Sequence, residues 1–132
     1  MDNSIPIEVL LVDDSDAFRQ TLRSFLTTFA DIRVVGEASD GEAAVLAVGK
    51  LKPTVVLTDI NIPALDGIAA TRVIKANHPH VAVIGLSVGV EEYSVYAMIK
   101  AGASEVVDKE HIFNHLPIAI RKAAVPSVLV PS

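Results

Sequence analysis

The chain has 132 residues, a formal net charge of −5 and no cysteine, and 51% of it is apolar. The length and apolar content suit one domain with one core. The missing cysteines exclude disulfide frameworks and thiolate metal sites. The acidic balance argues against direct nucleic-acid binding by this domain, because phosphate neutralisation needs clustered Lys and Arg. No membrane-length apolar run or signal pattern is present, so a cytoplasmic protein is expected.

Taken in chain order, short β-branched runs alternate with helical patterns. Residues 7–12 read as a strand. Phe18, Leu22, Phe25 and Phe29 then recur at helical spacing and form one apolar stripe. Further strands are expected at 33–37, 54–58, 81–86 and 105–107. They do not alternate with polar residues, which predicts burial on both faces. Helices are expected at 41–51, 67–77, 91–101 and 113–124, with Pro117 in the first turn of the last and its start drawn toward His115. Five strand-then-helix units imply a doubly wound α/β fold, a five-stranded parallel sheet with helices on both faces. No Gly-x-Gly-x-x-Gly follows the first strand, which counts against a dinucleotide site. Residues 1–124 read as the domain. Residues 125–132, with two Pro and two Ser, read as a tail or the start of a linker.

In such sheets function gathers at the carboxyl ends of the strands. The first strand delivers Asp13 and Asp14 there, the third Asp59, the fourth Ser87 and the fifth Lys109. Three carboxylates in one place repel one another. A hard divalent cation such as Mg²⁺ relieves that with carboxylate, water and phosphate oxygens. Lys109 and Ser87 add a compact positive charge and a hydroxyl donor. Together these groups match what phosphoryl transfer requires, with an Asp carboxylate as nucleophile.

Simpler readings apply to each residue taken singly. Asp13, Asp14, Ser15 and Asp16 precede a helix, where such residues cap and satisfy the dipole. Asp66-Gly67 reads as a turn and helix start. His78, His80, His111 and His115 read as surface residues, and Phe18, Phe25 and Phe29 as core. The co-occurrence on four strand ends is what favours chemistry.

With these residues in place, the sequence resembles the receiver domains of two-component response regulators over residues 7–124. The resemblance rests on Val-Leu-Leu-Val-Asp-Asp (9–14), Leu-Thr-Asp-Ile-Asn-Ile-Pro-Ala-Leu-Asp-Gly (57–67), Ile-Gly-Leu-Ser (84–87), Ala-Gly-Ala-Ser (101–104) and Lys109. It implies a flavodoxin-like strand order 2-1-3-4-5. It implies that Asp59 accepts a phosphoryl group from the phosphohistidine of a sensor histidine kinase. Asp14 and Asp59 would hold Mg²⁺ directly, Asn61 through its backbone carbonyl and Asp13 through water. Ser87 and Lys109 would bind the phosphoryl group. Residues 36–44 and 59–63 look closest to receivers placed ahead of a LuxR-type DNA-binding domain, so an effector outside this chain and control of transcription are implied. The apolar residues Tyr93, Val95, Tyr96, Met98 and Ile99, with Val106 and Ile118, read either as ordinary core filling or as an interaction face, and the resemblance implies an output or homodimer face on the fourth helix, fifth strand and fifth helix.

The chain departs from the family pattern in three places. Val106 stands where Tyr or Phe is common, so either Ser87 couples to output by another route or the switch is weak. Val88 follows Ser87 where small residues are frequent, which would narrow the approach to Asp59. Glu110 replaces the Pro that follows the lysine in many relatives. Two alternatives remain in view. One is a receiver-like interaction module without phosphorylation. The other is an Asp-nucleophile phosphatase, for which Asp14 and Asp16 have the spacing but the chain is too short for the later motifs. A phosphoacceptor domain of this kind is not a turnover enzyme.

Overall fold

A computed structural model describes residues 5–89 and 91–125. The elements in order are β1 (Ile7–Val12), α1 (Asp16–Thr27), β2 (Ile32–Ala38), α2 (Gly41–Leu51), β3 (Val55–Asp59), α3 (Gly67–Asn77), β4 (Ala82–Ser87), α4 (Glu92–Ala101), β5 (Glu105–Asp108), a 3₁₀ turn (Lys109–His111) and α5 (Ile112–Ala124). The strands form one parallel sheet in the order β2-β1-β3-β4-β5.

The unbroken apolar strands follow from period-two geometry with both sheet faces covered. Along β1, Val9 and Leu11 enter one core while Leu10 and Val12 enter the other. Val55 and Leu57 of β3 share the first core, and Val56 between them enters the second. Leu22 and Leu26 of α1 with Leu116 and Ile120 of α5 complete the first core. Ala44 and Val48 of α2, Ile74 of α3 and Met98 of α4 complete the second. Full burial of such a side chain contributes roughly 1.5–3 kcal/mol. That burial holds the strand ends in place.

Helix starts are set locally. Ser15 caps α1 by accepting from the Phe18 amide, Asp40 caps α2 through Ala43, and Asp66 caps α3 through Ala69. The expectation that Asp66-Gly67 begins a helix therefore holds. The helix start at α4 is different: Glu91 makes no side-chain cap, and Met98 is the helix's one buried residue.

Two expectations need correction. Pro117 is the sixth residue of α5, not part of its first turn, because the helix begins at Ile112 directly after the 3₁₀ turn. Pro117 has no N–H for the intrahelical ladder. The turn is held instead by burial of Ile112, Leu116, Pro117, Ala119 and Ile120. The aromatic stripe of α1 is also not simply core. Leu22 and Leu26 are fully buried, whereas Phe18, Phe25 and Phe29 are half-buried against that core. The expected tail at 125–132 lies, from 126 on, outside the described residues.

Candidate functional site

Parallel strands put their carboxyl ends on one edge, and the chain order places the chemistry there. Asp13 and Asp14 follow the last residue of β1, Asp59 ends β3, Ser87 ends β4 and Lys109 follows β5. Register fixes how they face one another, with Val12 beside Thr58, Asp59 beside Leu86 and Ser87 beside Asp108. Carboxylate oxygens of Asp13, Asp14 and Asp59 all lie within 4.8 Å of one another.

Lys109 ties this group together. Its Nζ donates to Asp13 Oδ2 at 2.8 Å and to Asp59 Oδ2 at 2.9 Å. The other oxygen of each carboxylate accepts a backbone amide: Ser15 N–H reaches Asp13 Oδ1 at 2.8 Å and Asn61 N–H reaches Asp59 Oδ1 at 2.9 Å. Asp13 and Asp59 are buried and doubly held, while Asp14 is exposed and enters no ion pair among the described residues. Burial alone would lower the Lys109 pKa, but the hydrogen bonds and charges of Asp13 and Asp59 more than reverse this and raise it above the ordinary lysine value. The ammonium is therefore held charged.

Three carboxylates against one ammonium leave two negative charges in a small volume. One divalent cation balances that, and an all-oxygen donor set suits a hard ion. The residues present therefore fit such an ion.

The loop after Asp59 is held by close backbone approach. Gly67 N–H donates to the Ile60 carbonyl at 2.8 Å, and a Cβ at position 67 would lie 2.4 Å from the carbonyl oxygen of Asp59. A Cβ on Gly41 would lie 1.6 Å from the Leu65 carbonyl oxygen. Both positions require the missing side chain, and both set where residues 60–66 run.

Ser87 Oγ donates to the Gly89 carbonyl of its own loop at 3.0 Å. Val88 is 80% exposed. Val106 is half-buried beside Gly85, where a Cβ would meet both Met98 Cε and Val106 Cγ2.

Two residues join the site that the sequence reading did not place there. Phe18 lies under Lys109, with Nζ 4.2 Å from the ring centroid, a cation–π contact. Arg19 donates to the Asp13 carbonyl and pairs with Asp16 and, at 2.8 Å, with Glu37. The available signal was position: both lie in the first turns of a helix that begins at the sheet's carboxyl edge.

Comparison with known proteins identifies the family. A model of the response regulator receiver domain family matches residues 9–121. The response regulator protein VraR of Staphylococcus saprophyticus is 35% identical over 118 residues, covering 89% of this chain and 56% of VraR. The chain thus spans about half the length of that relative. The signal receiver domain of a NarL response regulator from Mycobacterium tuberculosis superposes with a TM-score of 0.87 at 26% identity, over 92% of this chain and 98% of that one. The isolated receiver domain of RcsB from Salmonella enterica serovar Typhimurium, solved in the presence of the phosphomimetic BeF3−, gives a TM-score of 0.80 at 26% identity, over 88% and 86%. The motif order, the sheet topology and these matches agree: this chain belongs to the response regulator receiver domain family of two-component systems.

Proposed function

We propose that Asp59 is the phosphoacceptor of this receiver domain. The observation that carries the reading is Lys109 bridging Asp13 and Asp59 at 2.8 and 2.9 Å from the far end of the sheet order. In the reaction an Asp59 carboxylate oxygen forms a bond to phosphorus as the phosphorus–nitrogen bond of a kinase phosphohistidine breaks, its electron pair leaving with the imidazole. Asp14, Asp59, the Asn61 carbonyl and, through water, Asp13 would hold Mg²⁺. When bound, the ion supplies neutralisation of charge on the transferring group and its oxygens. Lys109 adds a fixed ammonium to the same charge, and Phe18 and the two carboxylates keep it aimed.

Ser87 supplies the link to output. To donate to a phosphoryl oxygen, its hydroxyl must leave the Gly89 carbonyl, which breaks the hydrogen bond that now closes its loop. Such a bond contributes on the order of 1 kcal/mol net, enough to shift a two-state loop by about fivefold. The loop at 87–92 moves by this route with Val106 keeping its rotamer. Matching spectra with and without a phosphoryl mimic test this, and a still loop would refute it.

The partners follow from the same reading: a sensor histidine kinase as donor and a DNA-binding effector outside this chain, acting in the cytoplasm, with no catalytic turnover beyond self-phosphorylation and hydrolysis. Among the described residues no helix is long and apolar enough to cross a membrane. The output or homodimer face runs over α4, β5 and α5, where Tyr93, Tyr96, Ile99 and Ile118 are exposed. Incubation with a small phosphodonor and Mg²⁺, followed by intact mass, tests the central claim. The wild type gains one labile phosphoryl group and Asp59→Asn gains none. Many donors turned over would point to a phosphatase, and no gain to a pure interaction module.

A further inference from the structure

A second set of metal-ligating side chains stands on the turn that carries Lys109. Asp108, Glu110 and His111 each offer a ligand atom, and these atoms lie within 4.8 Å of one another. His115, one helical turn further on, lies outside that group as it stands: its ring centroid is 5.6 Å from that of His111, with the planes 30° apart, so it joins only by side-chain rotation. Glu110, His111 and His115 are exposed and Asp108 is partly so. Asp108 Oδ1 accepts the Glu110 amide at 2.9 Å, which leaves Oδ2 open. Lys109, between them in sequence, is turned away toward Asp13 and Asp59.

We propose that Asp108, Glu110, His111 and His115 form a second cation site that takes a borderline transition-metal ion of the Zn²⁺ class. Two carboxylates balance a divalent charge, and two neutral imidazoles add the nitrogen donors that Mg²⁺ avoids and Zn²⁺ favours. Zn²⁺ holds imidazole nitrogen at about 2.0 Å, so closing the site needs side-chain rotation along the eight-residue segment 108–115. The second histidine pair shows the contrast. His78 and His80 stand 6.4 Å apart with planes at 77°, and among the described residues neither belongs to a group of carboxylates and imidazoles such as the one that holds His111. A bound ion would tie the end of β5 to the first turn of α5, the segment from which Lys109 reaches the carboxylates.

The test is Zn²⁺ titration of the full chain under saturating Mg²⁺, which occupies the oxygen-only pocket, with imidazole resonances and calorimetry as readouts. One Zn²⁺ per chain is expected, shifting the rings of His111 and His115 and leaving those of His78 and His80 in place. Loss of one outer-shell partner of a metal commonly costs 10–100-fold in affinity, so His111→Ala and His115→Ala should each weaken binding at least about tenfold. Both variants should keep the far-ultraviolet spectrum and still gain one phosphoryl on Asp59. Absence of binding, or undiminished affinity in either variant, overturns the site. Zn²⁺ lost in Asp13→Asn but kept in the histidine variants places the ion in the carboxylate pocket and also overturns it. Phosphorylation of Asp59 is read separately by mass, so failure here leaves that assignment standing.

Discussion

The two halves of the carboxyl edge are built to different standards. On the side of β1 and β3, both oxygens of Asp13 and both of Asp59 are engaged, and Lys109 spans them. On the side of β4 and α4, Ser87 makes one hydrogen bond to its own loop and Val88 is bare to solvent. The helix beyond has no side-chain cap and buries only Met98, whereas α1, α2 and α3 are each capped by Ser15, Asp40 and Asp66. The β1–β3 side is fixed by four hydrogen bonds to two carboxylates, and the β4 side by one Ser87 hydrogen bond. Segments with few buried contacts open at low free energy. A switch needs that asymmetry: rigid carboxylates to position the transfer, and a weakly held loop and helix to be moved by on the order of 1 kcal/mol.

The largest test breaks the rigid half. Lys109→Ala leaves two buried carboxylates facing each other without their cation. Removing one partner of a buried pair typically costs about 3–5 kcal/mol; with Lys109 partly exposed, the low end is expected in denaturant melts without Mg²⁺. The pocket then carries three negative charges instead of two, so Mg²⁺ should bind more tightly and recover part of the loss. Phosphorylation should still fall by about 10²-fold, since one fixed donor to the developing charge is gone. A variant that phosphorylates normally would show that Lys109 only props the fold.

A smaller change stiffens the weak half. Glu91→Ser installs the missing cap on α4 and should stabilise that helix by about 1 kcal/mol. Amide exchange over residues 92–101 should slow several-fold, and the response of that segment to a phosphoryl mimic should shrink. An unchanged response would mean that α4 is not the moving part.

Val88→Ala should have a lesser effect. The side chain stands free at the rim, so small phosphodonors should react faster, and the phosphorylated form hydrolyse faster, by no more than a few-fold. Equal rates in the two proteins would remove Val88 from the access path.

The smallest expected effect is a flat one. The folded Lys109 pKa is raised, so its contribution is complete below the unfolded value and lost only as pH rises through the folded value. The unfolded value is about 10.4, so no loss from Lys109 should appear between about pH 6 and pH 9. Phosphorylation rate profiles of the wild type and Lys109→Arg check this. A fall near neutral pH in the wild type alone would mean that the ammonium is not held charged.

Much of the site was legible because a parallel sheet converts chain order into position. Once residues 7–12, 54–58, 81–86 and 105–107 read as strands, Asp13, Asp14, Asp59, Ser87 and Lys109 had to meet on one edge. Strand ends came within a residue, since burial on both faces leaves unbroken apolar runs. Pro117 misled because proline favours a first helical turn locally, and only packing beneath α5 shows why an interior position is tolerated. Phe18 read as core because helical spacing identifies a buried stripe without showing where along the helix it stops being core.

By itself, then, the sequence determined the alternation of elements, the sheet's two buried faces and the set of groups at its edge. These depend on local pattern and on the one-way run of parallel strands. Only the tertiary structure decided which groups touch. It seated Lys109 between Asp13 and Asp59 over Phe18, turned Ser87 toward Gly89, and left α4 with a single buried residue, Met98. Those contacts depend on distances between residues far apart in the chain, and side-chain type and spacing do not encode them.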